Sequence, residues 1–548
     1  MINSNREGGI HPLIFMGYTK IANISSHLKK NFKSHMIDLG LKIIKGGIII
    51  MTTAEALKKL DRLQKKISAY SHAIGLISYD SVTTAPKKTT ANRGQTLSIL
   101  GEESYMLTTS EDTWNLLNFL EDRKEELDEK TRRTVKVMLK DLKDTRAIPM
   151  EEYLAYQQLL NEADDVWHRA KENNDYKSFE PYLQKIFDTC RKFAAYMNPE
   201  EHPYNVWMDK FEEGLTMDKC DNFFNTLRKE LVPIIKKVSE AKQIDDSFLN
   251  LKYPKEKQEE LSQYIMDVMN IDKGHCGIGE TEHPFTANFS KYDVRITTHY
   301  YDNLTYSMYS VVHEGGHALY ELNTGDEYAY TALGGGVSMA IHESQSRFYE
   351  NMVGRSKEFV SLIYPKLMEL FPELLKGVTE DKLYLAVNKS QPSLVRTEAD
   401  ELTYCLHIMV RYELEKRMFS GELTARELPE AWRSLYKEYL GIDVPNDKQG
   451  VLQDSHWSGG LVGYFPSYAL GSAYGAQLLS KMEETIDVSS CIKEGSLEVI
   501  NDWMRKNIWK HGCLYEPNVL LEKALGKPFD PSYYTEYLRK KYTDIYGL

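Results

Sequence analysis

The sequence predicts a mainly helical fold with one small β-sheet. Apolar residues recur at steps of three and four along most of the chain, beginning with Leu57, Leu60 and Leu63. Such a stretch must bury one face of a helix. Proline or glycine lies between several of these stretches, so they form separate helices. Residues 293–300 instead alternate β-branched and polar side chains, which indicates one strand of a small sheet.

The helical stretches follow one another in order along the chain. The first begins at Thr53. Later amphipathic stretches are predicted as helices over residues 151–172, 177–197, 217–241, 255–269 and 356–370. Just after the predicted strand, Asp302 or Asn303 can cap a helix over residues 304–321. The glycine in residues 323–325 can end that helix.

The domain organisation is predicted to be simple after an unusual start. A chain of 548 residues exceeds what one compact core usually holds, so we expect two lobes or one large elongated body. No repeat, low-complexity tract or long linker divides residues 51–548, and any division near residue 245 is soft. Residues 1–50 lack helical periodicity. They are expected to be a disordered extension or the product of a misassigned start. The second alternative rests on Lys45-Gly46-Gly47, which can be encoded as a ribosome-binding site upstream of Met51.

Composition and charge exclude several classes of function. The formal net charge is −12, with no basic block, so a nucleic-acid partner is not expected. No run of about 18 apolar residues occurs and the N-terminus lacks a secretory pattern, so neither a membrane span nor export is expected. The six cysteines are far apart and form no CxxC pair, which indicates reduced thiols in a cytoplasmic protein.

One short motif in the helix predicted over residues 304–321 points to a metal. In His313-Glu314-Gly315-Gly316-His317 the histidines are four residues apart, so their imidazoles lie on one helix face and can converge on one ion. The alternative is a pair of ordinary core or surface histidines. The adjacent glycines weigh against it, since each costs a helix roughly 1 kcal/mol relative to alanine. Their presence suggests that something approaches this backbone closely.

A third metal ligand is required, because a catalytic zinc site normally has three protein ligands and one open position. Glu343 is the candidate, since it lies in a helix-compatible run, residues 337–348, that follows a glycine bend and can return antiparallel to the first helix. Tyr320 and Asn323 exclude an extended HExxHxxGxxH motif. The motif is therefore of the carboxylate-ligand, gluzincin type, in which Glu314 is the general base that accepts the proton of the attacking water.

Six motifs occur in a fixed order in the catalytic part of the sequence. They are His283-Pro284-Phe285, Asp293-Val294-Arg295-Ile296-Thr297, the HEGGH sequence, His342-Glu343-Ser344-Gln345, Val395-Arg396-Thr397-Glu398-Ala399-Asp400 and Gly450-Val451-Leu452-Gln453-Asp454-Ser455-His456-Trp457. Over residues 51–548 the chain resembles the carboxypeptidase Taq family of metallocarboxypeptidases. The resemblance implies a saddle-like helical body with a deep groove, a homodimer, and zinc or sometimes cobalt. It also implies removal of single residues from the C-terminus of peptides, with broad specificity and proline disfavoured.

The later motifs supply candidate substrate-binding and catalytic residues. Arg396 can pair with the terminal carboxylate of a peptide through its planar guanidinium. A structural ion pair with Asp400, four residues on, is the alternative. Tyr464 and Tyr468 are candidate donors to the substrate carboxylate or the developing oxyanion, with a groove-lining role as the alternative. His456 is expected to stabilise the tetrahedral intermediate or to hold the substrate.

The earlier motifs place two further residues along the groove. His283 and Arg295 are expected there as substrate-binding residues, because a strand edge can pair with an extended peptide backbone. A structural role is the alternative for each.

Two other functions stay open from the sequence. A helical zinc oligo-endopeptidase shares the metal motif and a downstream glutamate, and a peptide-binding protein without activity shares the fold. Amidation of the substrate C-terminus separates the exopeptidase from the endopeptidase, because only the exopeptidase depends on the terminal carboxylate.

Overall fold

The structure, a computed structural model, describes residues 41–44 and 47–548. The expectations for residues 1–40, 45 and 46 lie outside the described residues. Leu41–Ile44 (β1) and Gly47–Ile50 (β2) pair antiparallel, a hairpin that the sequence analysis did not predict. From residue 51 onward, where every residue is described, helices dominate as predicted and one three-stranded sheet interrupts them.

The helices that precede this sheet form the N-terminal part of the molecule. Within residues 47–275 they are α1 (Thr53–Thr83), α2 (Thr90–Thr109), α3 (Glu111–Glu121), α4 (Glu129–Ala147), α5 (Met150–Asn173), α6 (Tyr176–Met197), α7 (Pro203–Met208), α8 (Met217–Glu240) and α9 (Lys255–Val268). The first begins with a capping box, in which Thr52 and Glu55 satisfy each other's backbone N–H groups. The helices predicted in this part are present, and their ends lie within one residue of the predicted ends.

The small sheet lies between the N-terminal helices and the helix that carries the metal motif. Its strands are β3 (Cys276–Glu280), β4 (Thr286–Ser290) and β5 (Asp293–Thr298), in the order β3-β5-β4. β3 runs parallel and β4 antiparallel to β5, which is the predicted strand. Thr286 pairs with Ile296, and Ala287 pairs with Arg295. Thr286 and Arg295 therefore lie on opposite faces of the sheet, since successive side chains alternate.

The helices after the sheet carry the metal motif and the later motifs. Within residues 299–548 they are α10 (Leu304–Leu322), α11 (Met339–Arg347), α12 (Lys357–Leu370), α13 (Glu380–Val387), α14 (Glu401–Ser420), α15 (Leu428–Leu440), α16 (Phe465–Glu483), α17 (Val488–Lys493), α18 (Leu497–Asn507), α19 (Pro517–Leu525) and α20 (Ser532–Tyr546). Of the two predicted caps for α10, Asn303 is the one that forms: its side chain accepts from the Thr305 and Tyr306 backbone N–H groups, at 2.8 and 3.0 Å. α11 continues into a π-helix over Phe348–Val353.

Two hydrophobic clusters hold the described helices together. The smaller is built by α1, α3 and α4, with Leu60, Leu117 and Val135 among its buried members. The larger begins at Tyr156 and ends at Tyr542. The two clusters divide between α4 and α5, and the larger has members on both sides of residue 245. A domain boundary near residue 245 stays a prediction.

The thiols and the helix hydropathy agree with the composition. All six cysteines lie in the described residues, where they are unpaired, and four of them are buried. Among the helices of the described residues, none has the length and apolar character needed to cross a bilayer. The cytoplasmic location stays a prediction.

Candidate active site

Three metal-ligating side chains converge in the described structure. His313 and His317 lie one turn apart on α10 and Glu343 lies on α11, so that one ligand atom of each falls within 4.8 Å of the others. Glu343 Oε2 lies 3.9 Å from His313 Nε2 and 3.6 Å from His317 Nε2. These separations exceed hydrogen-bonding distance and suit donors arranged around one ion. The three residues that the sequence predicts as ligands are therefore brought together.

Each histidine makes a hydrogen bond with the ring nitrogen that points away from Glu343. His313 Nδ1 lies 2.8 Å from Glu350 Oε2, and His317 Nδ1 lies 2.5 Å from His342 Nδ1. A carboxylate accepts only, so His313 carries its proton on Nδ1 and leaves the Nε2 lone pair for a metal. Glu350 lies in the π-helix that follows α11, a distortion that frequently occurs at functional sites.

A longer chain of polar groups orients His317. His342 Nε2 lies 2.6 Å from Glu321 Oε1. Glu321 also accepts from the Asn288 amide and from the Gly336 backbone N–H. Because this carboxylate accepts from every partner, His342 donates through Nε2 and accepts at Nδ1. His317 then donates through Nδ1 and keeps Nε2 for a metal. Burial lowers the pKa of His317 to about 3, so the imidazole is neutral, as a ligand must be.

Glu343 is held as a carboxylate by a neighbouring arginine. Arg347 Nε donates to Glu343 Oε1 over 2.7 Å, and Arg347 Nη1 donates to Glu350 over 3.3 Å. Burial favours the neutral carboxyl, but the Arg347 guanidinium, His317 and His313 together outweigh it and hold the pKa of Glu343 well below its usual range. The second oxygen, Oε2, faces the two histidines, so Glu343 offers a charged ligand atom on that side.

Glu314 lies beside the three ligands and is positioned by the sheet. Its Oε2 accepts a hydrogen bond from the Thr286 hydroxyl over 2.6 Å, so the edge strand β4 fixes its direction. Burial raises the pKa of Glu314 above its ordinary value. A carboxylate with a raised pKa is a better proton acceptor near neutral pH.

Glycines let α11 approach the helices on both of its sides. A Cβ atom on Gly316 would lie 2.7 Å from the Gln345 carbonyl oxygen and 2.8 Å from Ser346 Cα. On the opposite side, a Cβ atom on Gly471 of α16 would lie 2.6 Å from Glu343 Cβ. The close approach predicted from the paired glycines is therefore confirmed, and it fixes the position of Glu343.

Arg396 belongs to a buried cluster of two arginines and one aspartate. Arg396 Nη2 lies 2.8 Å from Asp454 Oδ1, and Arg411 Nη2 lies 2.6 Å from Asp454 Oδ2. The alternative ion pair between Arg396 and Asp400 does not form between these two described residues. Asp400 instead caps α14 by accepting from the Leu402 and Thr403 backbone N–H groups. Two guanidinium groups share one carboxylate, which leaves the cluster one positive charge in excess.

Aromatic side chains of the α16 region pack on this cluster. The Arg396 guanidinium lies 5.1 Å from the Tyr468 ring centre, and His456 Nε2 lies 3.2 Å from the Tyr468 hydroxyl. The Tyr464 and Tyr468 ring centres are 5.0 Å apart. Burial and the Arg396 charge lower the pKa of His456 to about 4, and burial raises the pKa of Tyr464 to about 12. At neutral pH the imidazole is uncharged and the phenol is protonated, so both can donate hydrogen bonds.

Arg347 connects the metal ligands to the arginine cluster. It pairs with Glu343, and its guanidinium lies 4.2 Å from the Tyr404 ring centre. The Tyr404 hydroxyl in turn lies 3.4 Å from Arg396 Nη1. Only two side chains therefore separate the candidate ligand Glu343 from Arg396.

Comparison with known proteins assigns the family. The family model for carboxypeptidase Taq (M32) metallopeptidases matches residues 59–542. The chain belongs to this family. Carboxypeptidase 1 of Bacillus subtilis is 38% identical over 494 residues, which cover 90% of this chain and 99% of that protein. Thermostable carboxypeptidase 1 of Pyrococcus furiosus is 36% identical, over 89% of this chain and 98% of that protein.

Solved structures of M32 proteins share the fold. The crystal structure of the M32 carboxypeptidase from Deinococcus radiodurans R1 superposes with a TM-score of 0.88 at 32% identity, over 90% of this chain and 100% of that one. A structure of the Pyrococcus furiosus carboxypeptidase gives 0.85 at 34% identity, over 90% and 100%. The chain is therefore an enzyme of the metallocarboxypeptidase class with the mainly helical M32 fold.

Two predicted substrate-binding residues of this M32 enzyme lie on or beside the small sheet in the described structure. His283 is exposed in the loop between β3 and β4. Arg295 pairs with both carboxylate oxygens of Asp293, and its guanidinium lies 5.4 Å from the Tyr79 ring centre on α1. Its side chain is on the sheet face opposite Thr286. A contact of His283 or Arg295 with a peptide stays a prediction.

Sequence reasoning missed the residues that support the candidate metal ligands and Glu314 in this M32 enzyme. Two of them had a sequence signal, because Glu321 lies four residues after His317 and Arg347 lies four residues after Glu343, on the same helix face in each case. Thr286 had no such signal. Its contact joins a strand to a helix across 28 residues, and only the fold creates it.

Proposed function

We propose that the chain is a zinc-dependent metallocarboxypeptidase that removes single amino acids from the free C-terminus of peptides. The observation that carries the proposal is the short connection from Glu343 through Arg347 and Tyr404 to Arg396. A catalytic centre beside a fixed cation suits a substrate that ends in a carboxylate. The family resemblance adds broad specificity, with proline disfavoured.

The three ligands fit a zinc ion, with cobalt as the alternative. Two imidazole nitrogens and one carboxylate oxygen are a common catalytic zinc set with one open position. The Nδ1 atoms of His313 and His317 already have partners, so both Nε2 atoms suit the metal. When bound, a divalent metal supplies Lewis-acid chemistry, which acidifies a water molecule and polarises the scissile carbonyl. Metal analysis of protein purified without added metal tests the choice of ion, since such ligand sets bind several divalent ions.

Glu314 moves the proton in this proposal. The Thr286 hydroxyl occupies its Oε2 atom, so Oε1 accepts the proton of the attacking water. Glu314 then delivers that proton to the nitrogen of the departing amino acid as the peptide bond breaks. The raised pKa of Glu314, caused by burial, suits both the acceptance and the return of the proton.

Arg396 binds the terminal carboxylate in this proposal. Its side chain is 8% exposed, whereas the Arg411 side chain is 0% exposed, so Arg396 is the member of the cluster that a substrate can reach. The excess positive charge of the cluster favours an anion there, and burial strengthens the attraction relative to water.

His456, Tyr464 and Tyr468 act as hydrogen-bond donors in this proposal. Their rings pack together beside Arg396, and the Glu343 carboxylate raises the pKa of both phenols in addition to burial. Donors between the metal ligands and the carboxylate-binding arginine can stabilise the developing oxyanion or orient the terminal residue.

One peptide in two forms tests the proposal. Metal-loaded protein is incubated with the free acid and with the C-terminal amide, and the products are followed by mass. The free acid should lose residues one at a time, and the amide should react at least about tenfold more slowly.

Arg396→Lys should reduce kcat/KM for the free acid by about 10–100-fold, because it loses the bidentate fork. Arg433→Lys, which alters an arginine–aspartate pair elsewhere, is the matched control.

The other outcomes are equally informative. Internal fragments from both forms would establish an oligo-endopeptidase. No cleavage of either form would favour a peptide-binding protein.

We also propose a homodimer that forms through α2. No residue of this helix is buried, and Ile99 and Met106 are 55% and 59% exposed. An exposed apolar face of this kind marks an interaction surface. Light scattering should give about twice the chain mass, and the double substitution Ile99→Lys and Met106→Lys should reduce it to one chain mass. An unchanged mass would remove α2 from the interface.

A further inference from the structure

A cavity of about 500 Å³ lies between the N-terminal helices and the catalytic part of the chain. Its walls come from α1, the end of α2, α3, α4, the end of β4 with the following Lys291, Thr324 and the loop at residues 329–335. These elements belong to both sides of the boundary between the hydrophobic clusters, so the cavity is a space between two packed units. The residues predicted as functional from the sequence do not line it.

The cavity lies beyond the start of α11, and the arginine cluster lies at the other end of this helix. Gly334 and Gly335 line the cavity and precede α11. Glu343 is in the middle of the helix, and Arg347, which leads to Arg396, is its last residue. A peptide with its carboxylate at Arg396 and its scissile bond at the ligands therefore extends towards the cavity. This step rests on the proposed function.

The strand β4 gives the length of that extension. β4 is an edge strand of its sheet. Thr286 at its start donates to Glu314, whereas Asn288 and Phe289 near its end line the cavity. A strand advances about 3.3 Å per residue. A peptide can lie along this edge with one residue beside each strand residue and its first residue upstream of the scissile bond beside Thr286. Its third and fourth upstream residues then lie beside Asn288 and Phe289 and reach the cavity.

Tyr330 stands in a strained conformation at this cavity. Its φ is 60° and the residue is 51% exposed, although a bulky side chain disfavours the left-handed region. The surrounding loop enforces the conformation. The Ala332 backbone N–H donates to the Gln64 side chain over 3.0 Å, and the Leu333 carbonyl accepts from the Cys513 backbone N–H over 3.0 Å. A strained residue that is held by its surroundings and exposes an aromatic ring indicates a function for that ring.

The walls of the cavity determine the chemistry of its occupant. Apolar side chains, among them Ile67, Leu117 and Met138, share the walls with serine and threonine side chains. Of the charged lining residues, Lys291 is already bound by the Thr324 carbonyl and by an aspartate. Asp141 contributes a negative charge. An apolar or aromatic side chain fits these walls, and an acidic one meets repulsion.

We propose that this cavity is the subsite for the third and fourth substrate residues upstream of the scissile bond, and that Tyr330 makes it select apolar or aromatic side chains. The ring packs against the substrate side chain on the open side, while the apolar residues of the walls remove the other side from water. The enzyme then gains specificity from residues that stay on the shortened peptide rather than from the residue that leaves.

Hexapeptides with a free C-terminus test this subsite. Three peptides share their other residues and carry two Phe, two Ala or two Glu at the third and fourth positions upstream of the scissile bond. For removal of the first residue, kcat/KM should be about tenfold higher with Phe than with Ala, and lowest with Glu.

Tyr330→Gly should reduce the Phe-to-Ala ratio to about twofold or less, while its melting temperature stays equal or rises, because glycine accepts this φ. Tyr330→Asn, which also tolerates this φ, should act in the same way.

The control and a binding measurement make the outcome decisive. Asn270 also has a positive φ, 57°, and lies outside the cavity walls, so Asn270→Gly should keep the wild-type ratio. The same ratios should appear in the dissociation constants of metal-loaded Glu314→Gln. A Phe-to-Ala ratio near one, or a ratio that Tyr330→Gly leaves unchanged, would overturn the subsite. If wild type cleaves no peptide, the proposed function fails, and the binding ratio still decides the subsite.

Discussion

The positions of two protons on histidine rings decide whether this site can hold a metal. Glu350 accepts a hydrogen bond from His313 Nδ1–H. His342 accepts one from His317 Nδ1–H, because Glu321 holds the His342 proton on Nε2. Both candidate ligand histidines are thereby left with Nε2 lone pairs on the side of Glu343. The hydrogen bonds behind the ligands thus matter as much as the ligands themselves.

We predict that Glu321→Gln weakens metal binding. An amide can donate to His342 Nε2, which moves the His342 proton to Nδ1 and the His317 proton to the nitrogen that the metal needs. The dissociation constant for Zn²⁺, measured by competition with a chromophoric chelator, should rise by about 10–100-fold. Glu327→Gln, an exposed neighbour, should leave it unchanged. An unaltered constant in Glu321→Gln would show that the chain of hydrogen bonds does not set the proton position.

We also predict that Glu314 and Glu343 separate under substitution. Glu314→Gln should lower kcat by at least about 10²–10⁴-fold, the usual contribution of a general base, and should still retain one metal ion. Glu343→Gln should lose metal affinity, because its Oε2 atom is one of the three converging donors. Metal content after dialysis and peptide hydrolysis are the two measurements. Loss of metal from Glu314→Gln would mean that this carboxylate is itself a ligand.

At the scale of elements, glycines at the helix contacts fix the position of α11, which carries Glu343. α11 lies between α10 and α16, and each of these helices presents a glycine to it. The glycines cost each helix some intrinsic stability, but they allow the backbones to approach closely enough for the ligands of two helices to converge.

We predict opposite effects of alanine at buried and open glycines. Gly316→Ala and Gly471→Ala should each destabilise the protein by about 1–3 kcal/mol, because the new methyl group overlaps neighbouring atoms. Gly94→Ala is the matched control: it lies in α2 with nothing within 4 Å of a new Cβ atom, and it should stabilise by up to about 1 kcal/mol. Thermal unfolding measures all three. Equal melting temperatures would contradict the close packing of α11.

At the scale of the whole molecule, distant segments meet at buried acids. Glu415 on α14 accepts hydrogen bonds from the Trp457 indole, the Tyr204 hydroxyl and the Gly463 backbone N–H, at 2.7, 2.8 and 3.0 Å. Burial outweighs these bonds and raises the pKa of Glu415 to about 7. One carboxyl group therefore links the N-terminal helices to the segment that carries His456.

We predict that this group makes stability fall with rising pH. Below the ordinary pKa of 4.5, Glu415 is protonated in both the folded and the unfolded chain. Between about pH 4.5 and 7 only the unfolded chain ionises, so the free energy of unfolding decreases by up to roughly 3 kcal/mol. Glu415→Gln removes this titration, so the metal-free wild type should lose stability relative to it between about pH 4.5 and 7. A pH-independent difference in melting temperature between the two proteins would refute the prediction.

The sequence by itself predicted the mainly helical fold, several of its helices, the strand β5 and three candidate ligands that the structure brings together. Helix ends were predicted within one residue in α5, α6, α8 and α9, because periodicity and capping are local properties of the chain. His313 and His317 were predictable for the same reason, since four residues make about one helical turn. Glu343 followed from the need for a third donor.

Only the tertiary structure decided what surrounds those residues. The Thr286 contact to Glu314, the pairing of Arg396 with Asp454 instead of Asp400, and the strain at Tyr330 all depend on segments far apart in the chain. The same holds for the cavity between the two hydrophobic clusters. Local patterns reveal which face of an element is buried. They do not reveal which partner buries it, because that choice is made by the packing of the whole chain.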